Sequence, residues 1–106
     1  MDHARVIESA LRKIQKVLLD QLEPNRPSDE LAIARVRMLI RSAAVRSALQ
    51  QADSFLAITL RAVRLVVADE QLPARQRIGE LWCILDQPPV HAALSIDQSS
   101  PTIAPP

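Results

Sequence analysis

Residues 54–71 read SFLAITLRAVRLVVADEQ and carry the strongest fold signal of the 106-residue chain. At the 100° per residue of an α-helix, the apolar side chains fill an arc about 220° wide, and Arg61, Arg64 and Ala68 mark a narrow polar strip. The arc consists of Phe55, Leu56, Ile58, Leu60, Val63, Leu65, Val66 and Val67. A helix so widely apolar has to be covered on nearly all sides, so the stretch predicts a surrounded helix.

The preceding stretch, residues 29–51, contains no proline or glycine and is predicted to form one helix with two apolar seams. The first seam consists of Leu31, Met38, Val45 and Leu49, and the second of Ile33, Val36, Leu39, Ile40 and Ala43. Arginines separate the seams, Arg35 and Arg46 on one side and Arg37 and Arg41 on the other. Such a helix suits two partners, although both seams could also lie inside one bundle with the arginine stems extending to water.

Helix boundaries are predicted from prolines and polar caps, because Gly79 is the only glycine. The chain breaks at Pro24–Pro27 and Ser28 caps the second helix, while Asp2 is a cap candidate for the first. A further break is expected at residues 52–54, since a continuous helix of about 43 residues would be about 65 Å long. The predicted helices span residues 2–22, 29–51, 54–71 and 74–86.

The C-terminal part is predicted to hold a fourth helix whose inner stripe is Ile78, Leu81, Trp82 and Leu85. Pro88 and Pro89 are expected to stop it, a short fifth helix is possible within residues 90–96, and residues 97–106 are expected to be a Pro-rich tail. The sequence therefore predicts an all-α fold, a small antiparallel bundle of four main helices in a single domain over residues 1–96.

Composition and charge indicate what the chain lacks. A single glycine cannot build a glycine-rich phosphate loop, and the net charge of +1 from 13 basic and 12 acidic residues predicts no strongly charged partner. The lone Cys83 excludes an intrachain disulfide, and charged residues interrupt the apolar run that a signal peptide or membrane span would need. We expect a cytoplasmic location and no membrane association.

No arrangement of residues predicts catalysis, a cofactor or a metal site. Cys83, Asp86 and His91 are the metal candidates, but their spacing matches neither paired cysteines nor a helical histidine pair. Cys83 as a nucleophile would need a base, and His91 is the only one near it in sequence. The two pairs of neighbouring carboxylates, Asp29–Glu30 and Asp69–Glu70, are more simply explained as charges at helix ends. We therefore expect a protein that is not an enzyme.

Residues 64–83 resemble a degenerate helix-turn-helix, in which Ala68, Leu72 and Ile78 have the expected offsets. Arg75, Gln76 and Arg77 would then begin the recognition helix and contact nucleic acid. Leu72 stands where the turn usually has glycine, and Pro73 lies within the turn. An ordinary helical hairpin explains these residues equally well, so a small DNA-binding regulator is the alternative hypothesis.

The first hypothesis is a non-catalytic interaction module whose excess apolar surface lies on the second and third predicted helices. An apolar patch of this size rarely stays exposed. We therefore expect it to be buried against a protein partner or against a second copy of the chain in a homodimer. The candidate interface residues are Leu31, Arg35, Met38, Arg41, Val45, Arg46 and Leu49. A bundle that holds an apolar small molecule is a further alternative.

Overall fold

A computed structural model describes residues 3–99, and this part of the chain folds into six helices without a strand. The helices are α1 His3–Asp20, α2 Asp29–Arg41, α3 Ala43–Gln51, α4 Phe55–Ala68, α5 Ala74–Leu85 and α6 Pro88–Ser99. The side chains described are those of residues 3–94. The all-α prediction is confirmed, and the number of helices exceeds the predicted four with a short fifth.

Residues 29–51 form two helices, so the prediction of one continuous helix was wrong. At Ser42 the backbone leaves helical geometry, with ψ at 145°, and the side chain accepts a hydrogen bond from the Val45 N–H at 3.2 Å. Serine competes in this way with the helical hydrogen bonds around it, and it is a favourable first cap for a new helix. The stretch has neither proline nor glycine, so the break is specified by one serine.

The predicted break at residues 52–54 is confirmed. α3 ends at Gln51 and α4 begins at Phe55. The hydroxyl of Ser54 accepts a hydrogen bond from the Ala57 N–H at 3.2 Å, and Ser28 caps α2 in the same way through the Leu31 N–H at 3.1 Å. The predicted cap Asp2 lies outside the described residues.

The remaining helix ends differ from the predicted ones by a few residues, except at the C-terminus. α1 ends at Asp20 and α4 at Ala68, because turns follow directly. Pro88 and Pro89 do not precede the last helix but form its first turn, where the missing N–H groups cost nothing. α6 continues to Ser99, past the predicted start of the tail at residue 97, and residues 100–106 lie outside the described part.

The core of the described residues is aliphatic, and α1 lies at its centre. α1 packs against α2, α3, α4 and α5, and its buried side chains are Ile7, Ala10, Leu11, Ile14 and Leu18. Leu60 and Val63 of α4 are fully buried, and Trp82 of α5 is half-buried at the margin. The Arg12 guanidinium of α1 donates a hydrogen bond to the Leu94 carbonyl at 3.0 Å and so joins α6 to the core.

Candidate functional site

The outward face of α4 carries three large apolar side chains that the helices of the described part leave largely exposed. Phe55, Ile58 and Leu65 are 48, 57 and 74% exposed. With the half-buried Ala62 they recur at intervals of three, four and three residues, the a/d spacing that packs one helix against another. We call Phe55, Ile58, Ala62 and Leu65 the α4 stripe. The sequence predicted a helix surrounded by others, and the described helices cover one side of it.

Arg61, the arginine beside the stripe, has its hydrogen-bond and ion-pair partners within the chain. Arg61 donates hydrogen bonds to the carbonyls of Leu49 and Ala52, the latter at 2.7 Å, and its Nη1 lies 3.4 Å from the Asp53 carboxylate. Its charge is therefore directed towards the C-terminal end of α3. Arg64, the other arginine of α4, lines a cleft beside α2 and α3. The α4 stripe thus contains no charged side chain. Arg61, which lies beside it, is already hydrogen-bonded within the chain.

The seven predicted interface residues do not form one surface. Val45 and Leu49 are buried in the chain's own core, at 5 and 4% exposure. Leu31 and Met38 are 44 and 73% exposed, seven residues apart on the outward face of α2. The predicted first seam is therefore half core and half surface, because the break at Ser42 separates its two halves.

Three of the predicted residues line a groove between α1 and the α2–α3 break. Arg35, Met38 and Val45 face Val6, Ala10 and Val17 of α1 across a space of about 800 Å³. Lys13 and Lys16 stand at its edge, and Lys16 Nζ lies 3.9 Å from the carboxylate of Asp20, which also lines the groove. We call this space the α1 groove. Its walls are largely aliphatic, and its border is mainly basic.

The other two predicted arginines, Arg41 and Arg46, lie elsewhere, in a cleft of about 520 Å³ between α2–α3 and α4. Arg37 and Arg64 line the same space. We call Arg37, Arg41, Arg46 and Arg64 the arginine cleft. The sequence pattern places Arg37 between the two apolar seams and Arg64 in the narrow polar strip of residues 54–71. The sequence does show a charge asymmetry, since residues 35–67 contain six arginines and the single acid Asp53, but arginines scattered along the chain predict no cluster.

The residues proposed for nucleic-acid contact have different environments in the structure. Arg77 is half-buried, and its Nε donates to the Leu72 carbonyl at 2.8 Å while Nη1 donates to the Val67 carbonyl at 3.4 Å. These bonds tie the C-terminal end of α4 to the first turn of α5. Arg75 and Gln76 are exposed. The guanidinium of Arg77 is thus occupied within the chain, which weighs against its use on DNA.

The groups examined for catalysis and metal binding are dispersed. Cys83 and His91 are both exposed, on α5 and α6 respectively. Among the described side chains, no three His, Cys, Asp or Glu residues lie close enough to hold a metal ion. None of the helices in the described part combines the length and the apolar content that crossing a membrane requires.

Comparison with protein-family models, with curated proteins and with solved structures finds no significant match. No fold family or activity can therefore be transferred to the chain by similarity. Three surfaces of the described part remain as candidate sites: the α4 stripe, the α1 groove and the arginine cleft.

Proposed function

We propose that the protein is a non-catalytic helical interaction module that self-associates as a homodimer. The observation that carries the proposal is the α4 stripe, in which Phe55, Ile58 and Leu65 are exposed on one face of one helix. Burying such side chains against a partner contributes about 25 cal/mol for each Å² of apolar surface removed from water. This surface lies on the third predicted helix, one of the two to which the sequence assigned self-association.

A second copy is the occupant that fits the stripe, because its residues complement one another when two α4 helices run antiparallel. With a two-fold axis near position 60, Phe55 lies opposite Leu65 of the second copy, and Ile58 lies opposite Ala62. A large side chain thus meets a small one in the centre, and two large side chains meet at each end. Residues with a/d spacing interdigitate in this way between paired helices.

Charge does not oppose this pairing. The stripe has no ionisable side chain, and Arg61 at its border is held by Asp53 and by carbonyls at the end of α3. Two stripes can therefore approach without placing unpaired like charges directly against each other. An antiparallel pair of 14-residue helices buries less than the roughly 1,600 Å² of a standard protein interface. We therefore expect a dimer that dissociates in the micromolar range.

Light scattering over a range of concentrations tests the proposal. We expect the wild-type mass to rise towards that of two chains with concentration, and Ile58→Asp to remain at the mass of one chain. Met38→Asp is the matched comparison, because Met38 is also exposed but lies on α2. A wild-type monomer at all concentrations would reject the homodimer. If Met38→Asp alone loses association, the interface lies at the predicted seam on α2 and not at the α4 stripe.

The helix arrangement and the location belong to the same proposal. The connection of five residues between α4 and α5, residues 69–73, supports an antiparallel bundle, because these two helices pack against each other and short connections join antiparallel neighbours. The single unpaired Cys83 supports a reducing compartment such as the cytoplasm.

The α1 groove supports a second candidate function, the binding of an apolar small molecule. Its volume of about 800 Å³ falls within the range of ligand pockets, and Val6, Val17 and Leu39 contribute to its aliphatic lining. Native mass spectrometry of the protein as purified tests this candidate. A retained mass that disappears in Ser9→Trp, which places a large side chain at an exposed position of the groove lining, would support it, and an unliganded spectrum would reject it.

A further inference from the structure

The arginine cleft has basic side chains from three helices and very little acid. Arg37 and Arg41 come from α2, Arg46 from α3 and Arg64 from α4, and Glu70 is the only acidic residue that lines the space. The whole chain has a net charge of only +1. The four guanidinium groups are thus a local concentration of charge, which the fold assembles from positions up to 27 residues apart.

None of these four arginines is bound within the described part of the chain. No ion pair or side-chain hydrogen bond among the described side chains, those of residues 3–94, engages Arg37, Arg41, Arg46 or Arg64. Elsewhere the chain uses arginine as a structural donor: Arg61 binds the end of α3 and Arg77 binds the end of α4. The donors of the cleft are therefore available to a ligand, whereas those of Arg61 and Arg77 are not.

Two features of the cleft arginines are also electrostatically unfavourable in the isolated chain, although Arg41 itself lies favourably in the last turn of α2. Arg37 and Arg41 are four residues apart on α2, and like charges at that spacing destabilise a helix. Arg46 lies in the first turn of α3, which contains no acid, and a cation is unfavourable at a helix N-terminus. A bound anion would relieve both effects at once, since it would lie near all the charges involved.

We propose that the arginine cleft binds a compact polyanion that carries two or more phosphoryl groups. The planar guanidinium fork donates paired hydrogen bonds to phosphate oxygens, and several forks around one space match several charged oxygens. A space of about 520 Å³ has the size of a small ligand and is too confined to enclose a DNA duplex. Its lining contains no aromatic side chain on which a base could stack, so the cleft recognises the phosphoryl groups.

Isothermal titration calorimetry with inorganic tripolyphosphate at constant ionic strength tests the proposal. The variant is Arg41→Gln with Arg46→Gln, and the matched control is Arg26→Gln with Arg75→Gln, which removes the same charge from exposed arginines outside the cleft. We expect saturable binding by the wild-type protein and the control. We expect an affinity at least about tenfold lower in the cleft variant, because charged hydrogen bonds are lost.

Three outcomes would overturn the proposal: no binding of tripolyphosphate, the same loss of affinity in both double variants, or tighter binding of a random DNA duplex through the cleft arginines. Circular dichroism of each variant shows whether it is folded, and Arg46→Gln alone provides a milder substitution. Titration of a Leu65→Asp chain separates this proposal from the homodimer, since Leu65 is not among the residues that line the cleft. Binding should persist in that chain whether or not it forms dimers.

Discussion

Arg61 Nη2 lies 2.7 Å from the carbonyl oxygen of Ala52, so a side chain in the middle of α4 closes the C-terminal end of α3. The same nitrogen donates to the Leu49 carbonyl. The last carbonyls of a helix have no partner within the helix, and a guanidinium both satisfies them and complements the negative end of the helix dipole. Arg61 therefore fixes the direction in which the chain turns between α3 and α4.

Arg61→Ala is expected to destabilise the protein by about 1.5–3 kcal/mol, the usual contribution of hydrogen bonds to a charged group. The loss would leave the carbonyls of Leu49 and Ala52 without their donor. Urea unfolding followed by circular dichroism measures the change. Asp53→Ala provides the control, because Asp53 is 98% exposed and an exposed ion pair contributes about 0–1 kcal/mol. Equal losses in the two variants would show that the ion pair, rather than the helix cap, carries the effect.

Ser42→Ala is expected to cost about 1 kcal/mol, because the first turn of α3 loses the hydroxyl that accepts from the Val45 N–H. Thermal unfolding measures the change. Ser47 is also exposed but lies inside α3, away from the cap, so Ser47→Ala should be neutral or slightly stabilising. A larger loss in Ser47→Ala than in Ser42→Ala would contradict the role given to Ser42.

Gly79→Ala is expected to stabilise the protein by up to about 1 kcal/mol. Gly79 lies inside α5, is exposed, and a Cβ added there meets no atom within 4 Å. The structure therefore shows open space around this position. Chemical denaturation gives the sign: a loss of stability would mean that a neighbour approaches Gly79 after all, as it would in an unforeseen interface.

Arg77→Ala is expected to destabilise the protein by about 1–3 kcal/mol, whereas Arg75→Ala should change stability by less than about 0.5 kcal/mol. Arg77 donates to the carbonyls of Leu72 and Val67, and Arg75 is exposed without such bonds in the described residues. Paired denaturant curves test the difference. If both variants are as stable as the wild type and both lose DNA affinity, the result would favour the helix-turn-helix hypothesis. It would also contradict the structural role given to the hydrogen bonds of Arg77.

Much of the fold follows from local patterns that a sequence displays directly. Ser28 and Ser54 stand where a helix with an apolar stripe begins, and both cap their helices. Ser42 has the same function, but apolar periodicity continues through it, so the pattern predicted an unbroken helix. Whether a serine caps a helix or lies inside one depends on packing against other helices, and that is not a local property.

The candidate site is less predictable than the fold, because burial is decided by the whole chain. Val45 and Met38 have the same place in the sequence pattern, yet Val45 is 5% exposed and Met38 73%. The wide apolar arc of residues 54–71 predicted a helix that is covered on nearly all sides, and in the structure Phe55, Ile58 and Leu65 of this arc are exposed. The arginine cleft could not be predicted from the sequence, because its side chains come together only when α2, α3 and α4 pack in the folded chain.

Sedimentation equilibrium of the wild-type protein beside Leu65→Asp and Leu22→Asp tests the homodimer most directly. Leu65 and Leu22 are 74 and 70% exposed, so the two variants place the same charge at equally accessible leucines, and only Leu65 belongs to the α4 stripe. We expect a reversible monomer–dimer equilibrium for the wild type and Leu22→Asp, and a single-chain mass for Leu65→Asp. A wild-type protein that stays monomeric at all concentrations, or a Leu65→Asp variant that dimerises as well as Leu22→Asp, would contradict it.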